Sequence, residues 1–273
     1  MLNPRYPPAF PPLWASAWGD DRYGLWAEFE LGGSIQRLRW IEPGEFLMGS
    51  PDDEPEHWAQ TEGPQHRVRL SAGFWLADTA CTQALWLAVL GGENPSAFKD
   101  DLTCPVEQVS ADDAEVFLTR LCVALGDDAR AMLPTEAQWE YACRAGTTTP
   151  FSFGANITPE KVNYNGNYPY AGSAKGPYRE RSVPVKSLPS NPWGLYEMHG
   201  NVWEWCADDR RLYRALALGQ AELDPQGALD SADRSLRGGA WFNRAGYARC
   251  ACRNLIARVN RYHNLGFRFS LGS

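Results

Sequence analysis

Beyond residue 146 the chain stops offering a helix. From Thr147 to Pro192 it is a run of Asn, Gly, Pro and Tyr with no apolar repeat at 2 or at 3.6 residues, and a stretch with neither period reads as loop. Short strands then resume, and no internal repeat or linker divides the chain. Helical periodicity is confined to the first half. Thr82 to Leu90 reads as a helix begun by a Thr cap. Asp112 to Leu125 reads as a second, with Ser110 as N-cap, Ala114, Phe117, Leu118, Leu121 and Leu125 on one face, and Gly126 as its stop. Pro134 to Tyr141 reads as a short capped helix. Trp26–Leu31 and Gln36–Ile41 alternate apolar and polar residues around Gly32-Gly33, a hairpin signature. Arg67–Leu70 and Gly73–Leu76 are strand-like, and residues 51–65, acidic and Pro-rich, read as a surface loop. Two main helices among short strands and long loops predict an α+β fold in a single domain. Residues 1–35 form an N-terminal arm and first strand, laid on a domain spanning 36–273.

Composition excludes some functions. A net charge of −7 and a pI near 5.2 argue against a nucleic-acid binder driven by phosphate contacts. No apolar run is long enough for a membrane span, and the first residues lack the apolar core of a signal peptide. Seven cysteines without regular spacing fit a reducing compartment, so free thiols and a cytoplasmic location are expected. Twelve tryptophans promise many half-buried anchoring positions.

The tail combines a rigid frame with a variable-looking interior. Gly238-Gly239 at one end permits positive φ or close backbone approach, and Gly266-Phe267-Arg268-Phe269 at the other reads as a closing strand with alternating faces. Between them lie Phe242, Tyr247, Cys250, Leu255, Ile256, Val259, Tyr262 and His263 mixed with Asn243, Asn254, Asn260 and Asn264. Loops rich in Tyr, Asn and Arg on a rigid scaffold are the stuff of binding surfaces.

Five segments occur in order: Pro43–Ser50, Leu133–Ala142, Gly194–Trp205, Leu236–Trp241 and Leu265–Arg268. Together they resemble the formylglycine-generating enzyme (sulfatase-modifying factor) family, over roughly residues 36–270. The resemblance implies a large, loop-rich variant of the C-type-lectin fold. The family includes copper-dependent oxidases, iron-dependent sulfoxide synthases and members without known catalysis, so fold alone does not assign chemistry. The oxidases carry two copper-binding cysteines after the Gly-Gly pair. Aligned on Tyr247, those positions are Asn243 and Ala248, and neither supplies a thiolate. Cys250 and Cys252 remain as an alternative two-sulfur pair, although small contact or core residues are the simpler reading. Iron needs clustered histidines, and His57, His66, His199 and His263 show no such spacing; His199 reads as a hydrogen-bonded core residue. No copper or iron is therefore expected. The resemblance also implies a calcium site from Glu197, Gly200, Val202 and Glu204, oxygen donors suited to a hard cation, with a second near Asn163 and Tyr164. The alternative for Glu204 is an ion pair with a buried arginine such as Arg237 or Arg268.

Some proteins similar to this family are diversified by retroelements that rewrite adenines in Asn-rich C-terminal codons. Such rewriting cannot yield Trp, Lys, Met, Gln or Glu, and none of the five occurs from Phe242 to Asn264. By that resemblance the variable positions are Phe242, Asn243, Arg244, Tyr247, Cys250, Cys252, Asn254, Leu255, Ile256, Val259, Tyr262, His263 and Asn264. Arg253, Arg258, Arg261 and Arg268 read as framework, and Trp203, Trp205 and Trp241 as core. The expected function is non-catalytic binding of a protein or other macromolecule through residues 242–264. The alternatives are a metal-dependent oxidase acting on a thiol, and a static docking module of a bacterial signalling or defence system.

Overall fold

The C-terminal strand closes a sheet begun near the N-terminus. The computed structural model describes residues 5–126, 128–217 and 219–272; residues 1–4 of the expected arm lie outside them. In chain order the elements are β1 (Ala17–Asp21), β2 (Gly24–Leu31), β3 (Ser34–Ile41), β4 (Gly44–Met48), the single-turn α1 (Ala59–Glu62), β5 (His66–Leu70), β6 (Phe74–Ala77), α2 (Gln83–Leu90), α3 (Ala111–Leu125), β7 (Arg130–Met132), α4 (Glu136–Arg144), β8 (Trp203–Trp205), β9 (Glu222–Leu223), β10 (Asp233–Arg237), β11 (Arg253–Ala257), β12 (Leu265–Gly266) and β13 (Ser270–Gly272). The main sheet runs β1-β2-β3-β6-β13-β7. A second runs β11-β10-β8-β12, and a third β4-β5-β9. The fold is α+β.

The helices begin where the sequence places their caps. Ser110 Oγ accepts from Asp113 N (3.1 Å) while the Asp113 carboxylate accepts from Ser110 N (2.9 Å). Thr135 and Gln138 make the same reciprocal pair at the start of α4. Each box satisfies two of the N–H groups that a helix start leaves without partners. The apolar face of α3 then packs Phe117, Leu118 and Leu121 with Trp75, Leu85, Phe267 and Phe269 in the largest core. A second core gathers Val68, Trp139, Tyr141 and Cys250. The long loops after residue 146 have a third, small core of Phe151, Ile157, Val162, Tyr164 and Tyr170, closed by Ala245 and Ala248 of the tail. That cluster is what lets so much irregular chain stay in place, since loops of this length are uncommon without packing of their own.

Three expectations need correction. The tail is not all loop: β11 pairs antiparallel with β10, Asn254 opposite Leu236 and Ile256 opposite Arg234. Its alternation is hidden because Arg253 is buried against Glu136, so a charge occupies a core position. The closing strand is split into β12 and β13, although the expected alternation holds. Phe267 and Phe269 both enter the main core, and Arg268 faces Glu204. The acidic loop at 51–65 is not wholly on the surface either, because Glu54 and Glu62 are buried around Arg249.

Candidate recognition site

Beneath the tail lies a buried lattice of ion pairs. Glu140 and Glu136 sit one turn apart on α4. Arg144 Nη2 meets Glu140 at 2.8 Å, Arg237 pairs with Glu140 and lies 3.2 Å from Glu136, and Arg253 Nε donates to Glu136 at 2.7 Å. Burial alone would push both carboxyls up; the arginines outweigh it and hold them below the ordinary Glu range. Arg237, Arg249 and Arg253 all come from the C-terminal segment. Arg249 is gripped by Glu54 (2.6 Å) and Glu62 (2.7 Å), and Trp58 packs edge-on against Tyr247 at 4.9 Å. The segment is thus bolted to the domain from below, and what remains above it is a surface. Gly239, at φ 72°, brings the chain so near Tyr247 that a Cβ would sit 2.8 Å from its carbonyl oxygen.

Seven of the thirteen expected positions line one open cavity of about 240 Å³. Phe242, Asn243, Tyr247, Asn254, Ile256, Tyr262 and Asn264 form its walls, with Trp203, Leu236 and Leu265 beneath. Asn254 and Ile256 are two apart on β11 and share a face, as a strand requires; Leu255, between them, belongs to the other face and does not line the cavity. Arg244, Val259 and His263 are exposed outside it. Asn243 spends its side-chain oxygen on Ala240 N (3.0 Å) and Asn254 on Leu255 N (2.9 Å), which leaves each amide N–H2 without a partner among the described residues. Beside the cavity the rings of Trp241, Phe242 and His263 stand 5.4 to 6.2 Å apart. Among the described residues none that lines the cavity is charged; Arg258 and Arg261 are paired with Asp112, Glu115 and Asp113 on α3. The sequence marks Trp203 as core, and its period-two placement with Trp205 carries no sign that it underlies the cavity.

Cys250 and Cys252 do not belong to this surface. Both are 0% exposed. They also do not face one another's neighbours: Cys250 packs in the second core and Cys252 in the main one. The sulfur beside Cys250 is that of Cys143, 3.7 Å away, with His199 adjoining both. His199 is not free to join the two sulfurs as a metal ligand. His199 Nδ1 lies 2.6 Å from the carbonyl of Ala248, and Nε2 accepts from Ser152 N at 3.1 Å, so both ring nitrogens are engaged. Burial lowers the His199 pKa to about 4, which keeps the ring neutral, and it is hydrogen-bonded core as the sequence reading has it.

Of the expected calcium ligands, the carboxylates of Glu204 and Glu197 are engaged by N–H donors of the protein. Glu204 accepts from Arg268 Nε (2.6 Å), Arg268 Nη2 (2.8 Å) and Trp139 Nε1 (2.7 Å), so its oxygens are held by three N–H donors. Glu197 accepts from the backbone N–H of Lys186 and of Leu188. At the second expected position Asn163 donates through Nδ2 to Asn201 and to the Arg181 carbonyl, while its buried Oδ1 has no partner among the described residues. Glu204 therefore takes the ion-pair role with Arg268.

The sulfatase-modifying factor enzyme 1-like domain matches residues 27–271. The mouse formylglycine-generating enzyme is 32% identical over 197 residues, 67% of this chain and 50% of that protein. A bovine protein named inactive C-alpha-formylglycine-generating enzyme 2 is 31% identical over 186 residues, 65% of this chain and 54% of that protein. This chain thus spans about half the length of these curated relatives. Among solved structures, Treponema denticola variable protein 1 superposes with a TM-score of 0.74 at 25% identity, covering 91% of this chain and 99% of that one. A frame of buried arginines and tryptophans, the ordered motifs and these matches agree: the chain belongs to the sulfatase-modifying factor enzyme 1-like family.

Proposed function

We propose that this protein is a non-catalytic binder that takes a protein ligand on the groove formed by its C-terminal segment, and that this segment is varied by a retroelement. The observation that carries the reading is the convergence of seven of the thirteen expected positions on one open, uncharged, aromatic- and amide-lined cavity. Aromatic rings give large contact area at low entropic cost, and amides adapt their hydrogen bonds to different partners. Likeness to a solved protein named as variable supports the reading, as does the occupation of the aligned copper positions by Asn243 and Ala248. The buried cysteines offer no accessible thiol beside the groove.

Two measurements test it. Sequencing the 3′ end of the gene across many isolates, expected changes cluster at codons for the groove-lining residues and spare Trp203, Gly238 and Gly239; changes spread evenly along the gene would remove the diversified reading. A partner selected on the wild-type chain is expected to be lost from the Phe242→Ala/Tyr262→Ala double variant, whose thermal midpoint stays that of the wild type. A partner held equally by both would overturn the groove as the recognition site.

A further inference from the structure

A second cavity, of about 420 Å³, opens on a different face, between the β1–β2 turn, the end of β3 and the start of α4's neighbouring strand β4. None of its lining residues comes from the tail. We propose that it binds an organic cation with a quaternary or methylated ammonium head. Five ring systems line it: Tyr6, Tyr23, Trp40, Tyr141 and Trp193. Tyr141 and Trp193 meet edge to face, with centroids 4.9 Å apart.

The polar tips of three of these rings, Trp40, Tyr141 and Tyr23, are tied off by the protein. Trp40 Nε1 donates to the carbonyl of Arg5 at 2.7 Å, and Tyr141 Oη donates to the carbonyl of Glu42 at 3.2 Å. Tyr23 Oη accepts from Ser190 Oγ at 3.1 Å. Arg22 and Arg39 already lie over the Tyr23 ring, 4.6 and 5.1 Å from its centroid, so the ring surface left to a ligand is that of the others, whose negative faces attract cations. Gly44 makes this arrangement possible, because a Cβ there would lie 2.3 Å from Tyr141 Oη. Two carboxylates complete the lining, Asp20 and Glu42. Both are exposed, and neither has a cationic partner among the described residues. The adjoining acid, Asp21, is by contrast neutralised by Arg39 at 2.7 Å. Arg5 also lines the cavity.

Aromatic walls with unpaired carboxylates suit a cation that is large, soft and weakly hydrated. A free metabolite and a trimethylated lysine side chain share that head group. The test is titration of the full chain with choline, with Nα-acetyl-trimethyl-lysine methylamide, and with 3,3-dimethylbutanol, the uncharged isostere of choline. Ligand-observed NMR and tryptophan fluorescence give the readout. Saturable binding of at least one cation is expected, at least tenfold tighter than the isostere. The Asp20→Asn/Glu42→Gln pair and Trp193→Ala should each weaken it at least tenfold, with circular dichroism unchanged. Tighter binding of the lysine derivative assigns the site to a modified protein, and tighter binding of choline to a free metabolite. No saturable binding of either cation, equal binding of the isostere, or binding undiminished in the carboxylate variant overturns the proposal.

Discussion

Arg268 grips Glu204 with two parallel hydrogen bonds, 2.6 Å from Nε and 2.8 Å from Nη2, and both side chains are sealed from solvent. The pair joins the last motif of the chain to strand β8, and Trp139 Nε1 adds a third donor at 2.7 Å. Breaking a buried pair leaves a charge without compensation, which costs about 3–5 kcal/mol. Glu204→Gln should therefore lose stability on that scale in urea unfolding. Because the oxygens of Glu204 are engaged by nitrogen donors, melts in calcium and in EDTA should coincide. A midpoint several degrees higher in calcium would show that a cation displaces Arg268.

Arg249 is the bolt between the recognition segment and the acidic loop. It lies against Glu54 and Glu62 and donates to the Glu56 carbonyl at 2.7 Å. Arg249→Met would leave two buried carboxylates facing one another. We expect a loss of about 3–5 kcal/mol, with faster proteolysis at residues 51–65 than elsewhere. Partial rescue by adding Glu54→Gln is the sign that unpaired charge, and not lost packing, is the cause.

Local structure was legible where one short stretch of sequence held the whole signal. The Gly32-Gly33 hairpin pairs Trp26 with Arg39 through Leu31 with Ser34, and the caps at Ser110 and Thr135 need only residues three apart. The burial of Glu54 and Glu62 was not legible, because the arginine that neutralises them lies far along the chain at position 249. β11 was missed for a related reason: Arg253 looks polar in sequence and is core in space. At the candidate site, seven of the thirteen expected positions fall on one cavity, because aromatic and amide residues there sit on adjacent turns and strand faces. Cys250 and Cys252 did not reveal their burial, since a small soft side chain serves contact and core equally well.

The exposed part of the tail should be freely replaceable as far as folding goes. Val259 is 58% exposed, Tyr262 50% and Phe242 39%. Substitution at such positions usually moves stability by no more than about 0.5 kcal/mol. Val259→Asn, Tyr262→Ser and Phe242→Ser, measured singly by thermal unfolding, should stay in that band. Cys250→Tyr, which forces a ring into a closed core, should fall well outside it. Losses of several kcal/mol from all three surface changes would mean that the groove is packing and not display.

Thiol chemistry gives an independent check on the cores. Six of the seven cysteines are buried and Cys122 is partly exposed. Burial pushes the Cys104 thiol up to about 11 and the Cys252 thiol up to about 12, which keeps them protonated and poorly nucleophilic at neutral pH. Ellman's reagent should modify no more than Cys122 in the native protein within minutes, and all seven thiols in guanidinium. Fast native modification of Cys250 or Cys252, identified by peptide mass, would put a reactive sulfur beside the groove and revive the thiol-oxidase alternative.

Asp208 sets a pH dependence of known sign. Its carboxylate accepts from Glu136 N at the start of α4 and from Gly227 N, both at 2.8 Å. Burial, reinforced by the nearby Glu136 charge, raises its pKa from 3.8 to about 6. Below about pH 4 both the folded and unfolded chain hold this proton. Between there and about pH 6 the folded chain alone holds it, so this group's contribution to stability falls as pH rises through that window and is flat above it. The fall amounts to about 3 kcal/mol at 1.36 kcal/mol per pKa unit. Asp208→Asn cannot titrate. It loses one acceptor at every pH, a constant offset of about 1–3 kcal/mol, but it lacks the slope. Unfolding free energies measured by urea at pH 4 and pH 7 should therefore show the variant gaining on the wild type by about 3 kcal/mol. Parallel profiles for the two proteins would mean that Asp208 stays ionised in the fold and that the backbone donors around it outweigh its burial.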